Sequence, residues 1–295
     1  FCMNDPVGLV PKVFTIMGCA SCGGQFVDPM PGPDDVDPFF EVYWGAGDGG
    51  SASLAARFEG AYKDFLNWSE LVRLKRWIRP GCRVLDIGCG GGDALWFLQK
   101  WGCDCSGLES TEAGVAATRR RVPGVDARVG DVYSNDFPDH AFDLILMSHV
   151  IEHLPRPAEA LERVRRLLKP DGMLCLMLPS IHCLQRHVFG ARWFVYHPPR
   201  HLVYYTPSAL GRLLGRCGFE PVRIHHVALK HGPAILVNSL FPRMQPFYMR
   251  RWTGAVGLGA RALYLLLVIG LSPIPLFESL LRRSPTLMVL SRIAP

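Results

Sequence analysis

A chain of 295 residues, 49% apolar and 20% charged, has room for one large α/β domain with appendages, and this composition excludes extended disorder. Its net charge of +6 comes from scattered groups, Arg73, Lys75, Arg76 and Arg79 in one place and Arg119 to Arg121 in another. No stripe suited to a nucleic-acid backbone results. The ten cysteines do not read as a disulfide framework either. Cys89 lies in a glycine loop, and Cys103, Cys105 and Cys175 lie in apolar, strand-like runs. That is the placement of small buried hydrophobes, and it predicts a reducing, cytoplasmic setting.

Residues 1–50 are rich in Pro, Gly and Asp with little periodicity, which predicts an irregular N-terminal appendage carrying Cys19-Ala20-Ser21-Cys22. No signal peptide is visible, and Phe1 in place of Met predicts that the true start lies upstream. From 51 to 295 a single domain is expected. Over 53–78, Leu54, Phe58, Tyr62, Phe65, Leu66, Leu71, Leu74 and Trp77 recur at helical spacing, ended by Pro80-Gly81. Strand–helix alternation follows: strands at 83–87, 103–108, 127–129, 142–147 and 173–178, helices at 93–101, 111–121 and 157–168, and a Lys169-Pro170-Asp171-Gly172 turn before the fifth strand. A helix opening at Thr206-Pro207 and a strand at 220–227 come next. An apolar insertion at about 234–285 then precedes a last strand at 286–293. The pattern predicts a doubly wound, mostly parallel sheet of seven strands.

The chemistry centres on Asp86-Ile87-Gly88-Cys89-Gly90-Gly91-Gly92, which leaves a strand and enters a helix. Glycines permit a sharp turn and close ligand approach, and the helix start favours an anion. Glu109 ends the second strand, where a carboxylate can accept both ribose hydroxyls of an adenosine. Asp131 closes the third, within reach of an adenine amino group. A dinucleotide site is the rival reading, but its fingerprint needs Gly or Ala at position 93, where Asp93 stands. His149-Val150-Ile151-Glu152-His153 spells the H-x-x-E-H zinc-peptidase motif, yet it follows a buried strand instead of lying on a long helix.

With these residues in hand, the chain from about Ser53 onward resembles the class I S-adenosylmethionine (SAM) dependent methyltransferase superfamily. Asp86, Gly88, Cys89 and Gly90 match its first motif, Glu109 its ribose acid and Asp131 its adenine contact, with Val132 and Ser148 beside them. The resemblance implies a Rossmann-like sheet with an antiparallel last strand, SAM as cofactor, and methyl transfer to a small or lipid-linked acceptor. Oxygen is the expected methyl acceptor, because the nearest resemblance is to the group of ubiquinone-biosynthesis O-methyltransferases and of sugar and cell-envelope methyltransferases, with Trp193, Pro199-Arg200-His201-Leu202 and Gly218-Phe219 matching a stretch common there. Some quinone methyltransferases in that group hold a divalent ion with a carboxylate-rich version of the 148–154 segment, where His149 here replaces an acid. A hydroxyl acceptor needs a base, and a histidine near neutral pKa suits the role. His149, His153, His197 and His201 are the candidates, His149 first, with Arg200 as a candidate anion holder. A catalytically silent SAM-binding scaffold carries the same cofactor motifs. A similar methyltransferase group bears an N-terminal zinc ribbon followed by a Pro-rich stretch, which makes Cys19 and Cys22 candidate zinc ligands with Cys2 as a third. The apolar insertion reads either as a lid over the acceptor or as a surface anchor flanked by Arg243, Arg250, Arg251, Arg282 and Arg283. Its unbroken apolar run, 262–271, is too short for a hydrocarbon core that needs ~20 residues.

Overall fold

The computed structural model describes residues 1–5, 10, 12–32, 35, 54–227, 229–244 and 257–295. Two compact units share the chain in alternating segments.

The larger unit comprises Trp44–Leu178, Leu210–His225 and Met288–Pro295. It opens with helix α1 (Leu54–Leu71), prolonged by a 3-10 turn at Val72–Leu74. Leu66, Leu71 and Leu74 bury one face of α1, and the polar Asn67 and Glu70 are buried with them. Strand β4 (Arg83–Ile87) leads through the glycine loop into α2 (Asp93–Lys100), then β5 (Asp104–Glu109), α3 (Glu112–Arg121) and β6 (Asp126–Val129). Thr111 accepts the Gly114 N–H and caps α3. Strand β7 (Phe142–Ser148) has Leu144, Ile145, Leu146 and Met147 at 1% exposure or less. That is the two-faced burial of a central parallel strand. Helix α4 (Pro157–Leu167) follows, its Leu161, Val164 and Leu167 face buried.

The Lys169-Pro170-Asp171-Gly172 segment is not a separate turn. Strand β8 runs unbroken from Leu168 to Pro179 and takes these residues up as a bulge, Phe142 pairing with Leu168 but Leu144 with Met173. Five residues of β8 thus oppose two of β7, and a Cβ at Gly172 would sit 3.0 Å from the carbonyl oxygens of Lys169 and Phe142. Helix α6 (Pro207–Arg216), strand β10 (Phe219–Val227) and strand β11 (Thr286–Ile293) complete the sheet. Its order, β10-β11-β8-β7-β4-β5-β6, is parallel from β6 to β8 with antiparallel strands at the C-terminal side. The chain leaves β4 outward to β5 and β6, then returns to β7 on the other side of β4. The β4/β7 boundary is therefore the point where strand order reverses, and there the carboxyl ends of a doubly wound sheet open a ligand crevice.

The smaller unit comprises Phe1–Tyr43, Pro179–Ala209 and His226–Leu287. It corrects the expectation of an irregular N-terminus. Strands β1 (Cys2–Asn4), β2 (Val13–Gly18) and β3 (Gln25–Asp28) form an antiparallel sheet closed by β9 (Val203–Tyr204), with Ile16 opposite Val27 and Gln25 opposite Tyr204. Phe14, Ile16 and Val27 pack with Trp193, Tyr196, Tyr204 and Ile235. Helices α5 (Leu184–Phe189), α7 (Gly232–Leu240), α8 (Leu258–Gly270) and α9 (Pro273–Leu280) belong to this unit. Residues 245–256 of the expected apolar insertion lie outside the described residues.

Candidate active site

The loop after β4 is shaped by left-handed backbone that only glycine adopts freely: φ is +72° at Gly88, +55° at Gly90 and +78° at Gly92. The Gly88 and Cys89 amides donate to the Leu108 carbonyl (2.7 and 3.2 Å), tying the loop to β5. The Thr118 hydroxyl donates to the Gly90 carbonyl at 2.6 Å and lies 3.4 Å from the Cys89 sulfur. A Cβ on Gly88 would stand 2.5 Å from Val150 Cγ2, so this glycine also makes room for the segment after β7.

Acidic groups line the carboxyl ends of the three neighbouring strands. Asp86 is buried in β4. Glu109 ends β5, its carboxylate accepting the Gly90 N–H at 3.0 Å, the Ser110 N–H at 2.9 Å and the Ser110 hydroxyl at 3.1 Å. Asp131, exposed just after β6, accepts the Tyr133 and Ser134 amides, both at 2.7 Å and both through Oδ1. The neighbouring Val132 is buried at 2% exposure. Ser148 closes β7 opposite Met177. The carboxylate series beside a glycine cradle fits an adenosyl ligand bearing a ribose diol and cationic centres. Cys89 is not a nucleophile here. Burial, with the charges of Asp86 and Glu109, pushes its thiol up to about 12 against the Thr118 hydrogen bond.

His149 occupies the end of β7 with φ +55°, one of three non-glycine residues of positive φ among the described residues. Its amide donates to the Met177 carbonyl at 2.7 Å. Its Nδ1 lies 3.1 Å from Glu152 Oε1, on the 3-10 turn Ile151–His153, and His153 Nε2 approaches the same oxygen at 4.0 Å. Glu152 is 2% exposed. Burial opposes its ionisation, but the His149 hydrogen bond and the charges of His153 and His149 outweigh that and hold the carboxyl below its ordinary range. Ionised Glu152 accepts only, so the 3.1 Å contact requires a proton on His149 Nδ1 and leaves the neutral imidazole's lone pair on Nε2. A single 3-10 turn cannot present the H-x-x-E-H letters as a zinc-peptidase helix does.

The expected residues thus divide. Asp86, Gly88, Cys89, Gly90, Glu109, Asp131, Val132, Ser148, His149 and His153 all belong to the larger unit. His201 belongs to the smaller one, where its Nδ1 lies 2.8 Å from the Val195 carbonyl and its amide donates to His197. Cys19 and Cys22 bracket the hairpin turn between β2 and β3, closed by Cys19 N–H to Gly24 (2.8 Å) and Gly23 N–H to Cys19 (2.9 Å). Among the described residues no third His, Cys, Asp or Glu gathers with them as a ligand set. Three residues were missed in the sequence: Thr118, which braces the loop, and Asn67 and Glu70, buried at 4% and 2%. The charges of both Glu70 and Asp86 bear on Cys175 in β8, whose thiol burial pushes up first of all. The available signal was a polar pair three residues apart within an otherwise apolar helix face. A cleft of about 470 Å³ lined by Tyr133, Glu159, Arg163, Arg165 and Arg216 shares no residue with the loop. Its Arg165 and Arg216 sit in the last turns of α4 and α6, where they complement the helix dipoles.

A doubly wound sheet of this strand order, with a glycine cradle and an acid at each of three strand ends, defines a nucleoside-cofactor fold of the methyltransferase type. The chain belongs to the methyltransferase-domain family, which matches residues 60–224, and SAM is the cofactor of that family. It is 30% identical over 154 residues to the ubiquinone biosynthesis O-methyltransferase of Roseobacter denitrificans, covering 48% of this chain and 61% of the relative. It is 31% identical over 150 residues to the 2-methyl-6-phytyl-1,4-hydroquinone methyltransferase of Synechocystis, covering 47% and 46%. The chain spans between 31% and 62% of the length of the first curated relatives it matches. Among solved structures the fold is shared with phosphoethanolamine N-methyltransferase 2 of Haemonchus contortus in complex with SAM (TM-score 0.55, 17% identity, covering 77% and 53%). A SAM-dependent methyltransferase of Archaeoglobus fulgidus shares it too (TM-score 0.51, 18% identity, covering 81% and 99%). The dinucleotide alternative falls with the family match, and Asp93, which argued against it, pairs with Arg121 at 2.9 Å.

Proposed function

We propose that this domain transfers the methyl group of SAM to a hydroxyl of a small or lipid-linked acceptor, with His149 as general base. The observation that carries the reading is the His149–Glu152 pair at the carboxyl end of β7, beside the glycine cradle. SAM, when bound, supplies an electrophilic methyl on a sulfonium. Glu109 and Asp131 would hold its adenosine, and Gly88 and Gly90 would let the loop close on it. His149 would take the proton that the acceptor hydroxyl gives up on methylation, the sulfonium charge of SAM being lost at the same time. Glu152 positions the imidazole and stabilises the imidazolium that forms. Orientation of the acceptor in line with the methyl supplies ~7–11 kcal/mol of the barrier reduction. Oxygen as the target is supported by the similarity to the ubiquinone biosynthesis O-methyltransferase of Roseobacter denitrificans and by the imidazole–carboxylate pair, which suits deprotonation of a hydroxyl. Seven of the ten cysteines are buried, the placement of small hydrophobic side chains, and this supports a reducing, cytoplasmic setting.

The test is methyl transfer from radiolabelled SAM to a panel of phenols, catechols and prenylated quinols. Transfer to oxygen is expected, with His149→Ala slowing it by roughly 10²–10⁴-fold at an unchanged SAM dissociation constant. A variant as fast as wild type would remove the base. Failure of the wild-type protein to bind SAM in a calorimeter would remove the whole reading.

A further inference from the structure

Helices α8 and α9 carry an apolar face that nothing in the smaller unit covers among the described residues. On α8, Leu263, Leu266 and Ile269 are 51%, 67% and 41% exposed; on α9, Ile274, Phe277 and Leu280 are 47%, 59% and 82% exposed. Monomeric proteins seldom leave so many large apolar side chains contiguous in water. The opposite faces are fixed. Pro275 of α9 packs on α7, a Cβ on Gly232 falling 2.7 Å from it. Tyr264 of α8 is hydrogen-bonded to Asn238 of α7. Glu278, buried in α9, takes the Gln185 amide N–H at 3.0 Å and side-chain Nε2 at 2.8 Å, both from α5. Which way the apolar residues point is therefore set by contacts on the other side of each helix.

Charge identifies the occupant. Between residues 257 and 285 the ionisable groups are Arg261, Arg282, Arg283, Tyr264 and Glu278. The only carboxylate is the one turned inward and bonded to Gln185, so the outward charge of the segment is wholly cationic. The arginines flank the apolar face, Arg261 in the first turn of α8 and Arg282 and Arg283 directly after α9. His182 lies beside this rim, where burial and then the charge of Arg283 push it below its ordinary range, so the positive charge of the rim is that of the arginines. Apolar helices edged by arginine match a bilayer surface that carries anionic headgroups.

The stretch Gly259–Leu280 is long and apolar enough by composition to cross a membrane, with mean hydropathy 1.8 over its most apolar window and 17% of that window buried. The helical run is interrupted at Leu271 and Ser272, between the end of α8 at Gly270 and the start of α9 at Pro273. Glu278 and its Gln185 partner would also have to enter the hydrocarbon, at a cost of several kcal/mol.

We propose that α8 and α9 lie in the surface of an anionic lipid bilayer, with Leu263, Leu266, Phe277 and Leu280 immersed and Arg261, Arg282 and Arg283 on headgroups. The proposal needs no step of the methyl transfer, and its failure leaves that reading untouched. It is tested by flotation of the full chain with vesicles of phosphatidylcholine alone and of phosphatidylcholine with phosphatidylglycerol, at low and high salt. The wild-type protein is expected to float with the anionic vesicles and to be released by alkaline carbonate. An arginine near an anionic surface is worth about fivefold in partitioning, so Arg282→Ala with Arg283→Ala should weaken binding roughly twenty-five-fold. Leu266→Asp with Phe277→Asp, both at exposed positions, should abolish flotation while leaving SAM binding intact. Several outcomes overturn the proposal: no flotation at low salt, equal binding to neutral and anionic vesicles, or resistance to carbonate. A vesicle-free protein that sediments as a dimer and becomes monomeric in Leu266→Asp would assign the face to a second copy of the chain instead.

Discussion

Gly88 shows how one missing side chain decides a site. Its φ of +72° is strained for any other residue, and Val150 Cγ2 already occupies the space a Cβ would take. Both effects act against Gly88→Ala, for which we expect a loss of about 1–3 kcal/mol and weakened SAM binding, read by denaturant unfolding and calorimetry. Glu152 makes a second prediction at this scale. Its folded-state pKa is depressed, so the stability it contributes is fully present above the unfolded value of about 4.3 and is lost as pH falls through the folded value. Glu152→Gln should therefore be less stable than wild type at neutral pH by about 1–3 kcal/mol, and the gap should narrow on acidification below that value. A gap independent of pH would mean that the carboxylate is not the stabilising form. The glycines and the acids at the strand ends were legible because each residue type has few alternatives at such positions. The left-handed backbone of His149 was not, since histidine enters that region more often than most residues but still only rarely.

Among the elements, the long apolar strand β7 and the amphipathic α4 fell where periodicity placed them, because burial on two faces and on one leaves different patterns. The fifth strand shows where that reasoning runs out. Lys-Pro-Asp-Gly is turn chemistry, and these four residues have no partners in β7, pairing resuming at Met173 as expected. What the pattern did not show is that Leu168 already pairs with Phe142, so the turn becomes a bulge inside β8, with Gly172 close to the Phe142 carbonyl. At the N-terminus the alternation was present, Phe14 and Ile16 inward and Val13 and Met17 outward. Surrounding Pro, Gly and Asp masked it, and the partner strand β9 lies some 180 residues away in sequence, beyond the reach of any local pattern. The cysteines divide by burial in a way that can be counted. Cys2 is exposed and Cys19 and Cys22 are half-buried, while the other seven are buried; burial pushes Cys103 up to about 11 and Cys105 and Cys183 up to about 12. Three thiols of ten should react rapidly with a chromogenic disulfide in the native protein. If only Cys2 reacts, and a chelator releases two more, Cys19 and Cys22 hold zinc.

Taken whole, the molecule was readable as a methyltransferase-type sheet from seven short patterns, whereas its division into two units was not. The chain passes between the units five times, after residues 43, 178, 209, 225 and 287. A linear reading assigns domains to continuous stretches, so the appendage and the apolar insertion looked like separate additions to one domain when they are parts of one unit.

The position of β11 has a consequence for how the protein is made. In the sheet β11 lies between β8 and β10, yet it is synthesised after every other strand. Until residue 293 has left the ribosome, β8 and β10 have no strand between them, and their unpaired N–H and C=O groups are open templates for other nascent chains. Expression of residues 1–285 should give protein in the insoluble fraction, and co-expression of the 286–295 segment as a peptide should recover part of it. Translation rate and chaperone supply would then govern yield more strongly than the stability of the finished fold.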